Sequence, residues 1–440
     1  MRIYLSTLGC ARNQVDSEVI CGRLSAAGHE MAELAEEAEV IIVNTCAFIE
    51  SATDEAIEQI LELAEYKRHG ACQKLIVAGC LPQRYGEQTA EALPEVDLFL
   101  GTGAYDRITD AVKDTEAADK CVIPPPEHTA LDGPDAPRNR ASGPVAYVKI
   151  MEGCGRHCTY CIIPALRGPL RSRPAEDVAG EARRLAGQGA AEIVLVGQDT
   201  TSWGLDQNPQ GRFADLLGIV AQAVPDCWVR FLYGHPDQIH DRLLDTMTAY
   251  PNICRYLDVP VQHASGRILK RMGRGHDSKA LATLFDRIRS AMPDAALRTT
   301  VLVGFPGETN DDFARLLEFM EQVAFDHLGA FVYSDAEDLP SHRLDGHVSA
   351  QIAQDRHDVV MMRQADISLA KNREKIGQCT DVLVEGRAED GRLFGRTRFQ
   401  APEVDGVTFI DIPGKSAVLG RIMKIRITDA EEYDLTGVAI

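Results

Sequence analysis

Positive charge is scarce in this chain. Across 440 residues, 46 lysines and arginines face 66 acidic side chains, for a formal net charge of −20. The first hundred residues hold 7 basic and 17 acidic groups and supply half of that deficit. Proteins that grip nucleic acid mainly by its phosphates need a basic footprint, so a dominant nucleic-acid surface is not expected. A basic protein partner fits the balance better, and simple solubility fits it equally well. Long apolar runs are also missing. None approaches the roughly 18 residues of a membrane span. The opening Met1-Arg2-Ile3-Tyr4-Leu5 reads as a first strand, not a signal peptide. These absences point to a cytoplasmic protein without membrane contact. Thiols stay reduced there, so twelve cysteines suggest metal before disulfides.

A third absence is more specific. In Met151-Glu152-Gly153-Cys154-Gly155-Arg156-His157-Cys158-Thr159-Tyr160-Cys161, three cysteines are separated by three and then two residues, with no fourth nearby. Structural zinc usually takes four protein ligands, and an ordinary 4Fe–4S carrier takes four thiolates. Three thiolates leave one iron of a cubane open to a small molecule. The spacing resembles the signature of radical S-adenosylmethionine (SAM) enzymes. That resemblance implies that the open iron grips the methionine end of the cofactor.

The first segment alternates strands and helices. Strands are expected at Ile3–Leu8, Val40–Val43, Leu75–Ala78 and Asp97–Leu100. Helices are expected over Asp16–Ala27 and over Ser51–Tyr66, the latter with Ser51 as N-cap and Ile57, Ile60, Leu61 and Ala64 inward, and Pro82 opens another. Cys10, Cys46 and Cys80, 36 and 34 residues apart, each stand just past a strand's carboxyl end. In an open parallel sheet those ends share one edge, where ligand sites gather. Three thiolates could converge there on a second cluster with an open iron. Gly9 and Gly79 permit the tight backbone such loops need. Cys21, Cys72, Cys121, Cys227, Cys254 and Cys379 share no spacing and read as core or surface residues.

Pro124-Pro125-Pro126 opens a polar stretch that reads as a linker or crossing loop. Strands then recur at Val145–Met151, Glu192–Val196, Val229–Leu232, Tyr256–Val259, Thr299–Val303 and Leu328–Tyr333, with amphipathic helices between them. Six such repeats make a partial (β/α) barrel, whose chemistry belongs at the carboxyl ends of its strands. The Cys154 loop follows the first strand. Gln198 and Asp199 follow the second, Gln262 the fourth, and Gly304-Phe305-Pro306-Gly307-Glu308 the fifth. Tyr160, Gln198, Asp199 and Gln262 are the candidates to contact SAM, with Tyr160 placed to stack on adenine. After a long helix over Ser349–Ile376, short strands are expected at Val382–Glu385, Leu393–Thr397, Thr408–Ile412, Ala417–Leu419 and Ile422–Ile427. They suggest a small OB-like barrel. Its residues 376–440 carry 8 basic and 11 acidic groups, so it is no basic RNA grip.

The expected fold class is therefore α/β with a small C-terminal all-β barrel. Its expected domains are 1–118, a linker at 119–139, a radical SAM core at 140–375 and a terminal barrel at 376–440. Together these pieces resemble the methylthiotransferase family over essentially the whole chain. The resemblance extends to Leu8-Gly9-Cys10-Ala11-Arg12-Asn13, Asn44-Thr45-Cys46-Ala47-Phe48-Ile49, Gln198-Asp199-Thr200-Thr201, Gln262-His263-Ala264-Ser265 and Ala401-Pro402-Glu403-Val404-Asp405-Gly406. It implies a C-terminal TRAM domain, a radical 4Fe–4S cluster on Cys154, Cys158 and Cys161, and an auxiliary, sulfur-handling one on Cys10, Cys46 and Cys80. These stretches match the branch that modifies the β-carbon of an aspartate in small-subunit ribosomal protein S-twelve, using two SAM molecules and a sulfur donor. The alternatives are the branch that modifies a tRNA adenosine and a non-catalytic iron–sulfur carrier. Electron-donor and sulfur-donor proteins would be further partners, and a monomer is the simplest state.

Overall fold

The computed structural model describes residues 1–113, 119–128, 131–140, 143–208, 213–412 and 418–440. The N-terminal region is a six-stranded parallel sheet. Its order is Glu30–Met31, Arg2–Thr7, Val40–Thr45, Lys74–Gly79, Leu98–Gly101 and Cys121–Val122. The central strands are apolar on both faces because helices cover both. Val40, Ile41, Ile42 and Val43 are all buried, as a doubly covered parallel strand requires. The helix Ala11–Ala26 begins directly after Cys10, five residues earlier than its apolar periodicity suggests. Its first turn, Ala11 to Gln14, holds only small and polar residues, which periodicity does not register.

Other local expectations are corrected. The second helix runs Glu50–His69 and is entered through Ile49, not capped by Ser51. Leu61 points to solvent while Leu63 packs inward. The third helix starts at Cys80 itself, two residues before Pro82. The proline-rich stretch read as a linker or crossing loop makes its own contacts on the way. Cys121–Val122 adds the sheet's last strand, and Arg138 further on ion-pairs with both Glu18 and Glu181.

Six further parallel strands follow in sequence order. Val145–Lys149, Glu192–Val196 and Trp228–Phe231 form one three-stranded piece, and Tyr256–Asp258, Ala296–Val303 and His327–Val332 form another. A bridge between Val229 and Ile253 joins them into a partial barrel. Helices Ala175–Gly187, Phe213–Ala223, Asp241–Ala249, Ser278–Ala291 and Asn310–Val323 wrap the outside. Their apolar faces make the largest core. The barrel's interior is a separate cluster that includes Tyr147, Val194, Trp228 and Tyr256. It is filled from one side by Ala11 and Val15 and from another by Leu383 and Ala401. Both terminal regions therefore plug the central one.

The C-terminal region is a closed five-stranded barrel, ordered Cys379–Arg387, Leu393–Thr397, Thr408–Asp411, Leu435–Ala439 and Ile422–Ala430. The expected strand at Ala417–Leu419 is not part of it. Ala417 lies outside the described residues, and Leu419 sits in a turn. The fifth strand is Leu435–Ala439, which pairs parallel to Thr408–Asp411. This barrel is tied to the central one by charge. Glu192, fully buried, accepts hydrogen bonds from Arg230 and Arg396, both at 2.6 Å. Tyr256 donates to Asp405 at 2.6 Å. Among the described residues, no helix is long and apolar enough to cross a membrane.

Candidate functional site

All twelve cysteines are free. Cys10 ends the loop after Arg2–Thr7, Cys46 follows Val40–Thr45, and Cys80 follows Lys74–Gly79. Pairing of Thr45 with Gly79 puts the last two strand ends level. The turns are tight. Gly9 sits at φ 97°, and a Cβ there would lie 2.6 Å from Cys46 Cβ. Gly79 sits at φ 104°, with Asn44 and Thr45 atoms at 2.7 Å from the same added position. Only glycine meets both demands. The thiols sense one another. Burial, then the charges of Cys80 and Cys10, push the Cys46 thiol up to about 11. Burial alone would also raise Cys10. Arg12, Arg167 and the backbone N–H groups of Asn13 and Arg12 outweigh it and hold this thiol below its ordinary range.

The second triplet lies in a pinned loop. Gly153, at φ 76°, lets the chain pass Pro169, whose carbonyl oxygen would be 2.0 Å from an added Cβ. Cys154 N–H donates to Gly168 O at 3.1 Å. Thr159 donates through its N–H to Met272 O at 3.1 Å and through its hydroxyl to Arg271 O at 2.9 Å. Cys161 is pushed up to about 12 by burial and by the neighbouring Cys158 and Cys154 charges. Neither triplet has its three sulfurs within 4.8 Å of one another. A single tetrahedral zinc, with Zn–S of about 2.3 Å, would draw sulfurs to roughly 3.8 Å. Neither triplet is drawn together to that degree.

The candidates for SAM occupy the rim in different ways. Gln198 donates to Glu152 at 2.5 Å, leaving its own buried Oε1, an acceptor, without a partner. Asp199 is already engaged. It accepts from Arg156 at 2.9 Å, Thr201 at 3.0 Å and Ser202 at 2.6 Å. Tyr160 packs edge-on against Phe305, with ring centroids 6.5 Å apart, and its hydroxyl accepts from Arg274 at 3.0 Å. Gln262 is at φ 67°, a left-handed conformation fixed by backbone bonds to Thr300 and Leu302. Glu308 turns its carboxylate back onto Gly304 N–H and Phe305 N–H, so that glycine loop is held by its own acid.

Sequence reasoning missed the groups that join the triplets. Arg167, at the end of the short helix Ile163–Arg167 after Cys161, reaches back to the N-terminal region. It donates to Asp16 at 2.7 Å, to Asn13 at 2.7 Å and toward Cys80 Sγ at 3.7 Å. Lys149 bridges Asp16 and Glu152. Arg12 donates to Gly197 O at 2.8 Å and lies over the Tyr233 ring at 4.9 Å. Its charge acts most on Cys10 and less on Cys46 and Cys161, and with Arg167 reaching Cys80 it ties the two triplet-bearing regions along one seam. Glu152 adjoins the cysteine loop and Arg12 adjoins Cys10, so proximity to a ligand was an available signal. Arg167 carries none, because only the folded helix aims it backward.

The comparisons agree with this architecture. The model of the uncharacterized protein family UPF0004 matches residues 2–101, the radical SAM superfamily residues 148–320, and the TRAM domain residues 376–440. The ribosomal protein uS12 methylthiotransferase RimO of Desulfosudis oleivorans is 53% identical over 440 residues, covering 100% of each chain. That of Clostridioides difficile is 43% identical over 99% of this chain and 98% of its own. Among solved structures, the radical SAM methyltransferase TsrM of Kitasatospora setae, with cobalamin and a [4Fe–4S] cluster bound, aligns with a TM-score of 0.58. It is 15% identical, over 78% of this chain and 77% of that one. At that identity the likeness speaks to the fold alone.

Proposed function

This chain belongs to the ribosomal protein uS12 methylthiotransferase family of radical SAM enzymes, and from that premise we propose that it inserts a methylthio group at the β-carbon of an aspartate in uS12. The observation that carries the reading is that the two triplet-bearing regions are tied together beside the cysteines, by Arg12 on Gly197 O at 2.8 Å and by Arg167 toward Cys80 Sγ at 3.7 Å. Cys154, Cys158 and Cys161 would hold the radical 4Fe–4S cluster, and Cys10, Cys46 and Cys80 an auxiliary one. Tyr160, Gln198, Asp199 and Gln262 would line the SAM side, with the orphaned Gln198 Oε1 as an acceptor and Asp199 acting through Arg156.

The target C–H bond lies beside an ionised carboxylate and is neither acidic nor electrophilic, so positioned acids and bases cannot open it. When bound, the reduced cluster and SAM supply a carbon-centred radical that can, while the protein's task is to position and exclude. The chain is built for that task. Arg12 and Arg167 favour the Cys10 thiolate that a metal needs. The Asp16–Lys149–Glu152–Gln198 chain fixes the cysteine loop's entry against the N-terminal helix. Two SAM molecules, a sulfur source and an electron donor complete the proposed reaction. The regions 1–118, 140–375 and 376–440 would act as its three domains, joined through 119–139, as a cytoplasmic monomer.

Mass spectrometry of uS12 from a strain lacking this gene tests the reading. The expected result is uS12 without the methylthio mass and tRNA with its nucleosides unchanged. A full complement of modified uS12 in that strain would sink it.

A further inference from the structure

The seam between the triplets holds several cations, and nearly all are committed. Arg167 pairs with Asp16. Lys149 pairs with Asp16 and Glu152. Arg156 pairs with Asp199 and Asp237. Arg12 differs. Its side chain meets a carbonyl oxygen and an aromatic face, and among the described residues no carboxylate forms an ion pair with it. Through space the Cys10 thiolate attracts it first, then Tyr233 and Glu152; the Glu152 carboxylate is taken by Lys149 and Gln198. A guanidinium offers a planar fork of donors matched to a carboxylate.

The support beneath Arg12 is costly. Tyr233 adopts φ 62°, a left-handed conformation that a bulky residue rarely takes. It is held there because its N–H donates to Asp258 at 2.8 Å and its carbonyl accepts from Thr200 N–H at 3.0 Å. Such strain persists only where the surroundings over-determine it, and it gathers at functional sites. Here it puts an aromatic face under Arg12, and the Gly197 carbonyl fixes one edge of the guanidinium. The result is an oriented cation, partly open to solvent, held at the barrel's rim just after Cys10 in the chain.

We propose that Arg12, seated on Tyr233 and Gly197, binds the side-chain carboxylate of the aspartate being modified and so fixes its β-carbon between the two cysteine triplets. This rests on the uS12 reading above. It gives the enzyme a reason to accept aspartate and reject asparagine, since a neutral amide would leave the guanidinium without its anion.

The test uses full-length protein with both clusters loaded, presented with uS12 or with uS12 whose target aspartate is replaced by asparagine. Binding is read by titration and turnover by KM and kcat. Wild type is expected to bind the asparagine form about tenfold or more weakly, as loss of a charge-assisted hydrogen bond implies. Arg12→Gln should weaken binding of native uS12 by a similar factor while no longer distinguishing the two forms. Arg12→Lys, which keeps the charge but not the fork, should fall between. Wild type that binds both forms alike overturns the proposal, as does equal weakening of both by Arg12→Gln. An increased sulfide requirement in Arg12→Gln at unchanged uS12 affinity also overturns it, and assigns the cation to the sulfur source. The two readings fail separately. If wild type leaves native uS12 unmodified, the function assignment falls; if wild type modifies it but the binding pattern is absent, only the role of Arg12 falls.

Discussion

Cys154, Cys158 and Cys161 lie within one loop of eight residues, whereas Cys10, Cys46 and Cys80 come from three turns 36 and 34 residues apart that only a sheet brings together. The local triplet depends on how one loop is tied down, through Gly153, Thr159 and the Gly168 carbonyl. The dispersed triplet depends on strand register. Thr45 stands opposite Gly79, and Thr7 opposite Asn44. Because a strand's side chains alternate faces, a one-residue slip would carry Cys46 away from its partners. If both triplets hold clusters as proposed, metal chemistry of the same kind rests on sequence spacing in one region and on topology in its neighbour.

The sharpest way to break that comparison is to remove one thiol from each triplet. Cys158→Ala should abolish formation of 5′-deoxyadenosine by the reduced protein, with loss of about half the iron if each triplet holds one cluster. Cys46→Ala should lose a similar share of iron yet still cleave SAM, while making no methylthiolated uS12. Iron analysis, chromatography of the nucleoside and mass spectrometry of uS12 read the three outcomes. Full methylthio product from Cys46→Ala would end the two-cluster reading.

A gentler perturbation keeps every thiol and disturbs only the backbone. Gly9→Ala forces a Cβ to within 2.6 Å of Cys46 Cβ at φ 97°, and Gly153→Ala sets one 2.0 Å from Pro169 O at φ 76°. Each costs roughly 1–3 kcal/mol of local strain or a shifted turn. Gly9→Ala should lower iron at the N-terminal triplet and leave SAM cleavage largely intact. Gly153→Ala should do the reverse. Equal loss of both activities in either variant would mean that the two regions fold as one unit.

The contrast also explains what was legible in the sequence. Strands and helices with plain periodicity, such as Glu192–Val196 and Phe213–Ala223, lie where expected. The positions of Cys10, Cys46 and Cys80 at strand ends, and of Cys154, Cys158 and Cys161 in one loop, were legible because strand ends and spacing are one-dimensional signals. The early start of the Ala11–Ala26 helix was hidden because Asn13, Asp16, Ser17 and Glu18 are buried polar residues, which read as surface. Their partners, Arg167, Lys149 and Arg138, come from far along the chain. Buried charge at a seam is a pairwise property, and one sequence does not display pairs. For the same reason the last barrel strand, Leu435–Ala439, was missed: its parallel neighbour Thr408–Asp411 is remote from it in the chain.

That buried charge is expected to touch stability alone and leave both sets of thiols in place, and it concerns whether the two triplet-bearing regions stay docked. Arg138 of the crossing segment holds Glu18 of the N-terminal helix and Glu181 of the barrel, the latter at 2.7 Å, and Arg173 holds Glu181 at 2.6 Å. Burial would raise the Glu181 carboxyl, but the two guanidiniums outweigh it and hold the group below the usual carboxylate range. A depressed carboxyl adds stability above its unfolded value of about 4.3, and that stability is lost as pH falls toward the folded value. Glu181→Gln should therefore lower stability at pH 7 by about 1.5–3 kcal/mol, the scale of a hydrogen bond to a charged group. The gap between wild type and variant should close as pH drops below about 4.3. Thermal midpoints of the two proteins across that range measure it. A gap that stayed constant or widened toward acid would mean that the charge on Glu181 does not hold the seam, and that apolar contacts such as Ala11 and Val15 against the barrel interior carry the docking alone.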